Sequence, residues 1–266
     1  MDLSIKEIVP DPNRMNIGKE LDPRLPDIST GSLGLMIGGV KTGKTTIITN
    51  MLLRADMYKD CFSNVYIFSN TIMNDSTGRW LKESYPETIF SDYSDAVLLK
   101  IIRHQEQILQ SGMERPAPIA IILDDFVGIS RNSEVYKLAT RYRHYNCGLL
   151  LFSSQGFKEV HPLVRSNMTF ALLGKNSNSR ELSKITEELG SSMGGDRNFL
   201  SICKHIWKVP YHFVHIDYSE NPPDMYDGFE KKVWEGGRAL EKMKNVTNME
   251  ESDSDEETIL EIDDNT

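Results

Sequence analysis

The chain has 266 residues, long enough for one α/β domain of roughly 200 residues with extensions and too short for two large domains. Its longest apolar runs, residues 119–123 and 149–152, fall far below the roughly 20 residues of a membrane span, and the N-terminus Met1-Asp2-Leu3-Ser4-Ile5-Lys6-Glu7 lacks the basic and apolar regions of a signal peptide. The net charge of −9 is concentrated at one end: nine acids and no base lie between Glu250 and Asp264, and the body carries 30 acids against 30 Lys and Arg, so it is not a strongly basic DNA-binding domain.

Residues 1–30 contain Pro10, Pro12, Pro23 and Pro26 with little periodicity and read as an extended arm. Leu33 to Ile37 reads as a buried strand, and Thr46 to Asp56 as a helix with Ile47, Ile48, Met51, Leu52 and Ala55 on one face. Val65 to Ser69 is a second strand. Asp92 to Gln110 is a helix that Ser94 caps and Gly112 ends. Ile119 to Leu123 is a strand that runs into Asp124-Asp125. A helix over Glu134 to His144, a strand from Gly148 to Ser153 ending at Ser154-Gln155, and a strand from Met168 to Leu173 follow. Ser179 to Leu189 is a helix with Ser179 as cap and Gly190 as stop, and Phe199 to His205 is helical. Ile206 to Val209 and His212 to Asp217 flank Pro210-Tyr211 as a hairpin or paired edge strands. Residues 228–245 read as a final helix of mixed charge.

Buried strands alternating with helices predict an α/β fold with a mostly parallel sheet covered on both faces, plus a C-terminal hairpin and helix. The expected organisation is an arm (1–30), a P-loop core (31–218), a C-terminal helical extension (219–248) and an acidic, solvated, disordered tail (249–266). That tail is either solubilising or a docking segment. Cys61, Cys147 and Cys203 are scattered and without metal-ligand spacing, which marks them as reduced packing thiols.

The residues 38–45, Gly38-Gly39-Val40-Lys41-Thr42-Gly43-Lys44-Thr45, have the form G-x-x-x-x-G-K-[ST] between a strand and a helix. Glycines let successive N–H groups turn inward on phosphate oxygens, and the new helix adds its positive end. Lys44 is placed to reach the β- and γ-phosphates of ATP and the Thr45 hydroxyl to hold Mg²⁺. Thr46 falls near the α-phosphate or simply starts the helix, and Lys41 either touches phosphate or is solvated.

Asp124-Asp125 after an apolar strand have the Walker B form, with Asp124 linked to Mg²⁺ and Asp125 as the base that orients and deprotonates water. The alternative for Asp125 is a helix N-cap or loop acid. Gln155 can sense the γ-phosphate or be a loop residue. Arg165 is an arginine finger or an ordinary salt-bridge partner, and Arg141 and Arg143 share that ambiguity.

Taken together, Arg143-His144-Tyr145-Asn146-Cys147-Gly148-Leu149-Leu150-Leu151-Phe152-Ser153-Ser154-Gln155 and Val164-Arg165-Ser166-Asn167 resemble the stretch from Walker B to the arginine finger in the FtsK–HerA superfamily. Within it the chain looks most like the genome-packaging ATPases of poxviruses, other large DNA viruses, virophages and polinton-like elements. The resemblance covers roughly residues 30–218. It implies a RecA/FtsK-like P-loop ATPase that assembles as a ring, a hexamer, and pumps double-stranded DNA into a preformed capsid. It also implies Gln155 as sensor and Arg165 acting in trans on the neighbour's site. Capsid or membrane-vertex partners and a place in the virion or at the host-cell (cytoplasmic) site of virus assembly follow from the same resemblance. Asp125 departs from the family, whose cellular members usually have Glu there. A P-loop kinase or other phosphotransferase is the alternative; no Arg-rich lid or acceptor pocket is legible for one.

Overall fold

A computed structural model describes residues 15–72, 76–112, 116–125 and 128–240. In chain order the elements are β1 (Ser32–Ile37), α1 (Lys44–Leu53), β2 (Asn64–Phe68), α2 (Arg79–Ser84), β3 (Ile89–Phe90), α3 (Asp95–Gln110), β4 (Ile119–Leu123), α4 (Glu134–Leu138) and β5 (Cys147–Ser154). Then come α5 (Pro162–Asn167), β6 (Phe170–Gly174), α6 (Ser179–Leu189), α7 (Asp196–Ile206), β7 (Phe213–Asp217), β8 (Asp224–Asp227), β9 (Lys231–Glu235) and β10 (Arg238–Ala239).

All the strands join one sheet in the order β10-β9-β8-β7-β6-β1-β5-β4-β2-β3. From β6 to β3 every pairing is parallel; from β6 to β10 every pairing is antiparallel. Side chains alternate across the parallel part, as the strand period requires. Leu33, Leu35 and Ile37 of β1 pack with Leu98 and Ile101 of α3, Val164 of α5, Ile185 of α6 and Ile202 of α7. Met36 packs on the opposite face with Ile48, Met51 and Leu52 of α1 and Leu81 of α2. The expected parallel sheet with helices on both faces is therefore the fold. Gly34 is required within it: a Cβ there would stand 2.2 Å from Cζ of Phe170, whose ring crosses the strand.

The arm is described from Met15 onward. Residues 15–30 form no helix or strand but are not free: Leu25 and Ile28 are buried in the α1 face, and Tyr58 Oη donates to the Pro26 carbonyl at 2.8 Å. The three cysteines are buried free thiols, as their spacing suggested. No described helix is long and apolar enough to cross a membrane. The acidic tail lies outside the described residues.

Several sequence expectations need correction. The helix over 228–245, and with it the helical extension of 219–248, is not formed: residues 224–239 build β8, β9 and β10, and 241–248 lie outside the described residues. Gly236 and Gly237, at φ +57° and +80°, make the turn between β9 and β10. Val233 and Trp234 are buried there, so cross-strand pairing prevails over a charge pattern that suits a helix.

The hairpin over 206–217 is also absent. Ile206 completes α7, and Trp207 Nε1 donates to the Leu173 carbonyl at 2.9 Å, so β7 pairs with β6 and β8 instead. The single helix over 134–144 is broken after Leu138. Tyr142–Tyr145 form a separate 3₁₀ turn, held where Tyr142 Oη and Arg143 Nε both donate to the Gly31 carbonyl, at 3.1 and 3.2 Å. Helix α1 ends at Leu53, which leaves Ala55 exposed beyond it. Asn178, not Ser179, caps α6 by accepting from the N–H groups of Arg180 and Glu181. Ser94 stands at the start of α3 without a capping bond.

Candidate nucleotide-binding site

In an open α/β sheet the ligand crevice lies at the carboxyl ends of the parallel strands. Here those ends carry Gly38 after β1, Ser69 after β2, Asp124 after β4 and Gln155 after β5. Between them is a cleft of about 750 Å³ lined by residues 40–47 with Thr71, Thr77, Asp124, Asp125, Gln155 and Tyr211.

The loop's curl has identifiable causes. Lys41 and Gly43 take left-handed φ values of +61° and +93°; the glycine adopts this without penalty. A Cβ on Gly38 would lie 2.6 Å from Thr42 Oγ1, which itself donates to the Gly39 carbonyl at 2.8 Å. Gly38 and Gly39 donate their N–H groups to the carbonyls of Ser154 and Lys175, at 3.3 and 3.1 Å. These two glycines therefore anchor the loop to β5 and to the end of β6, while Val40, Lys41, Thr42, Gly43, Lys44, Thr45 and Thr46 line the cleft.

Lys44 Nζ donates to the carbonyls of Gly38 and Gly39, at 2.8 and 3.1 Å. Burial pushes its pKa down, and the charges of Asp125 and Asp124 pull it back up. The loop thus holds the ammonium over its own mouth, facing the two acids.

Asp124 is only 5% exposed. Its N–H donates to the Phe68 carbonyl at 2.9 Å, and its Oδ2 accepts from Ser69 Oγ at 3.1 Å and Thr71 Oγ1 at 3.4 Å. Burial raises its pKa above the ordinary carboxylate value; the hydroxyls of Ser153 and Ser69 and the Lys44 charge oppose this, and Asp125 reinforces it. Asp125 has a left-handed backbone at φ +52°, and its Oδ1 is buried without a hydrogen-bond partner among the described residues. An oxygen kept dry and unpaired beside a second carboxylate and a lysine is a donor awaiting a ligand. The donor set is all oxygen with a lysine opposite, which suits Mg²⁺ with a polyphosphate rather than a softer metal.

Of the residues singled out in the sequence, the cleft gathers the loop, Lys44, Thr45, Thr46, Asp124, Asp125 and the exposed Gln155. It does not gather Arg165, which lines a separate cavity of about 330 Å³ with Glu188 and Tyr218. The Arg165 side chain is 18% exposed; Nη1 donates to Glu188 Oε1 at 2.6 Å, and the guanidinium lies 5.1 Å from the centroid of the Phe157 ring. Arg143 is bound to the Gly31 carbonyl before β1, at the end of the sheet away from the cleft. Arg141 lines a groove beside it with His144 and Asn167.

Sequence reading missed Ser69, Thr71 and Tyr211. Ser69 carried a faint signal, a hydroxyl closing an apolar strand. Its meaning depends on the parallel register that sets Phe68 against Leu123.

The fold and the site together define the class: this is a P-loop NTPase fold, with its phosphate loop between the first strand and helix of a parallel sheet. Within that class the chain is similar to the genome-packaging NTPase B204 of Sulfolobus turreted icosahedral virus 2, solved in complex with AMP. The two share 13% identity at a TM-score of 0.50, over 75% of this chain and 98% of that one. The B204 DNA-packaging ATPase of Sulfolobus turreted icosahedral virus gives 13% and 0.50 over 74% and 97%. The cytoplasmic domain of the type VII secretion ATPase EccC from Thermomonospora curvata gives 13% and 0.51 over 90% of this chain and 30% of that one. No protein-family model matches the chain, and no curated protein matches it in sequence. The fold implied by the FtsK–HerA resemblance, shared with viral packaging ATPases, is the fold the chain has.

Proposed function

We propose that this protein is an ATPase that drives double-stranded DNA into a preformed viral capsid. The observation that carries the reading is Lys44 facing the buried Asp124 and the half-buried Asp125 across a cleft of about 750 Å³, in a fold shared with a DNA-packaging ATPase. ATP would lie along residues 38–46, with backbone N–H groups of the loop and the start of α1 donating to its phosphates.

Thr45 and Asp124 would hold Mg²⁺, which supplies charge neutralisation to the β- and γ-phosphate oxygens when bound. Lys44 leaves its loop carbonyls for phosphate oxygens and stabilises the charge that grows on them during transfer. Ser69 and Thr71 fix the rotamer of Asp124 by donating to its Oδ2. Asp125 turns its unpaired Oδ1 to a water, orients it in line with the γ-phosphorus and takes its proton. Gln155, at the end of β5, reports the γ-phosphate to the rest of the subunit.

Arg165 would complete a neighbouring subunit's site within a ring, a hexamer in this reading. Its separation from its own subunit's cleft supports action in trans. The motor would work with capsid or membrane-vertex proteins at the site of virus assembly. A phosphotransferase would need an Arg-rich lid over the acids; among the described residues no arginine lines the cleft.

The test is ATP turnover with and without double-stranded DNA, paired with a mass measurement of the ATP-bound protein. DNA-stimulated turnover by a ring is expected. A DNA-insensitive monomer that phosphorylates a small acceptor would overturn the reading in favour of the phosphotransferase.

A further inference from the structure

The cleft does not end at the phosphate loop. The acids and Gln155 mark where the γ-phosphate would sit, so the nucleoside must leave past Thr46 and Ile47. There the cleft runs into a second groove of about 510 Å³, and Thr46, Ile47 and Tyr211 line both spaces. Asn50, one turn along α1, lines the second groove.

Tyr211 is unusual in three independent respects. It is 73% exposed, the most exposed of the large apolar and aromatic side chains among the described residues. Its backbone is left-handed, at φ +64°, a conformation that a turn built for geometry alone would give to Gly or Asn. Its ring stands against the phosphate loop: a Cβ on Gly43 would meet Tyr211 Cδ1 at 3.6 Å.

The conformation is held from both sides. The His212 N–H donates to the Val209 carbonyl at 3.3 Å, and the His212 ring Nδ1 lies 2.8 Å from Asp227 Oδ1 on β8. The antiparallel strands thus present an aromatic face at the mouth of the cleft, on the side opposite Asp124.

We infer that Tyr211 is the stacking platform for the nucleotide's base, with the α7–β7 turn and β8 as its mount. The inference rests on the reading that Lys44 binds the phosphates. Every base has a π-face, so the platform gives affinity without choosing between adenine and guanine. An inorganic triphosphate, which has no base, gains nothing from it.

The test is calorimetric titration of the full chain with Mg²⁺ and AMPPNP, GMPPNP or tripolyphosphate. Tyr211→Ala and Tyr211→Asn are compared with wild type, the asparagine because it accepts a left-handed backbone without offering a platform. Both variants should bind the two nucleotides about tenfold more weakly and tripolyphosphate within about twofold of wild type, while Tyr211→Phe keeps all three. Unchanged nucleotide affinity in both variants, or equal loss of nucleotide and tripolyphosphate, overturns the platform and leaves Lys44 as the phosphate ligand. Wild-type protein that binds neither nucleotide nor tripolyphosphate removes the phosphate reading, and the platform with it.

Discussion

The two charged centres of this molecule differ in how finished they are. Around Lys44 the parts stand together: the ammonium is bonded to its own loop, Asp124 is fixed by two hydroxyls, and Asp125 keeps an unpaired oxygen. Around Arg165 the guanidinium is spent on Glu188 and Phe157, facing a different cavity, although its Nε stays unpaired. One centre is a site within a single chain. In the proposed ring the other would act only once a neighbour's triphosphate displaces Glu188 from Arg165.

The largest effect expected from breaking the first centre is with Lys44→Ala. Turnover should fall about a thousandfold or more, because Lys44 is the cation whose charge interacts with Asp124 and Asp125 across the cleft. Steady-state phosphate release measures it, and wild-type turnover in the variant would dismiss the site.

Arg165→Ala should lose turnover on a similar scale, yet bind nucleotide as wild type does, since the residue is not in its own subunit's cleft. Weakened binding to dilute monomers would place it at the wrong centre.

Asp124→Asn sharpens the contrast through stability. Burial raises the Asp124 pKa, so its carboxylate opposes folding at neutral pH, and the opposition fades as pH falls into the ordinary carboxylate range, where the group is protonated folded or unfolded. The nucleotide-free variant should therefore melt above wild type at pH 7. The gap should close toward pH 4. Turnover should be lost at the same time.

An effect on stability alone, away from both centres, separates them from general acid sensitivity. His215 is fully buried against Tyr226, Phe229 and Phe170, and burial lowers its pKa to about 4. The unfolded chain takes up that proton first, so stability present above pH 6.5 is lost as pH falls toward 4. The loss is about 2 kcal/mol between pH 7 and pH 5. His215→Phe should flatten that slope in urea titrations and leave ATP turnover at pH 7 unchanged.

What the sequence made legible was local. The phosphate loop, the strand into Asp124-Asp125 and the strand into Gln155 each lie within a dozen residues, and each points to one end of one sheet. What it hid depended on partners far along the chain. Ser69 meets Asp124 across 55 residues, only through the β2–β4 register. Lys231–Glu235 reads as a helix until Trp234 is seen paired with Met225 of β8. Tyr211 belonged to an expected hairpin turn and gains its place over Gly43 only because Ile206 ends a helix instead. Arg165 was named from the sequence, but its partner Glu188 was not, since the pair joins α5 to α6.

The claim that the site is completed by a neighbour is tested most directly by mixing. Lys44→Ala and Arg165→Ala, each inactive alone, are combined and assayed for ATP turnover after co-assembly has been confirmed by mass. Recovery of a fraction of wild-type activity is expected, because some interfaces then pair an intact Lys44 with an intact Arg165. Co-assembled mixtures that stay as inactive as either variant would contradict the interfacial site.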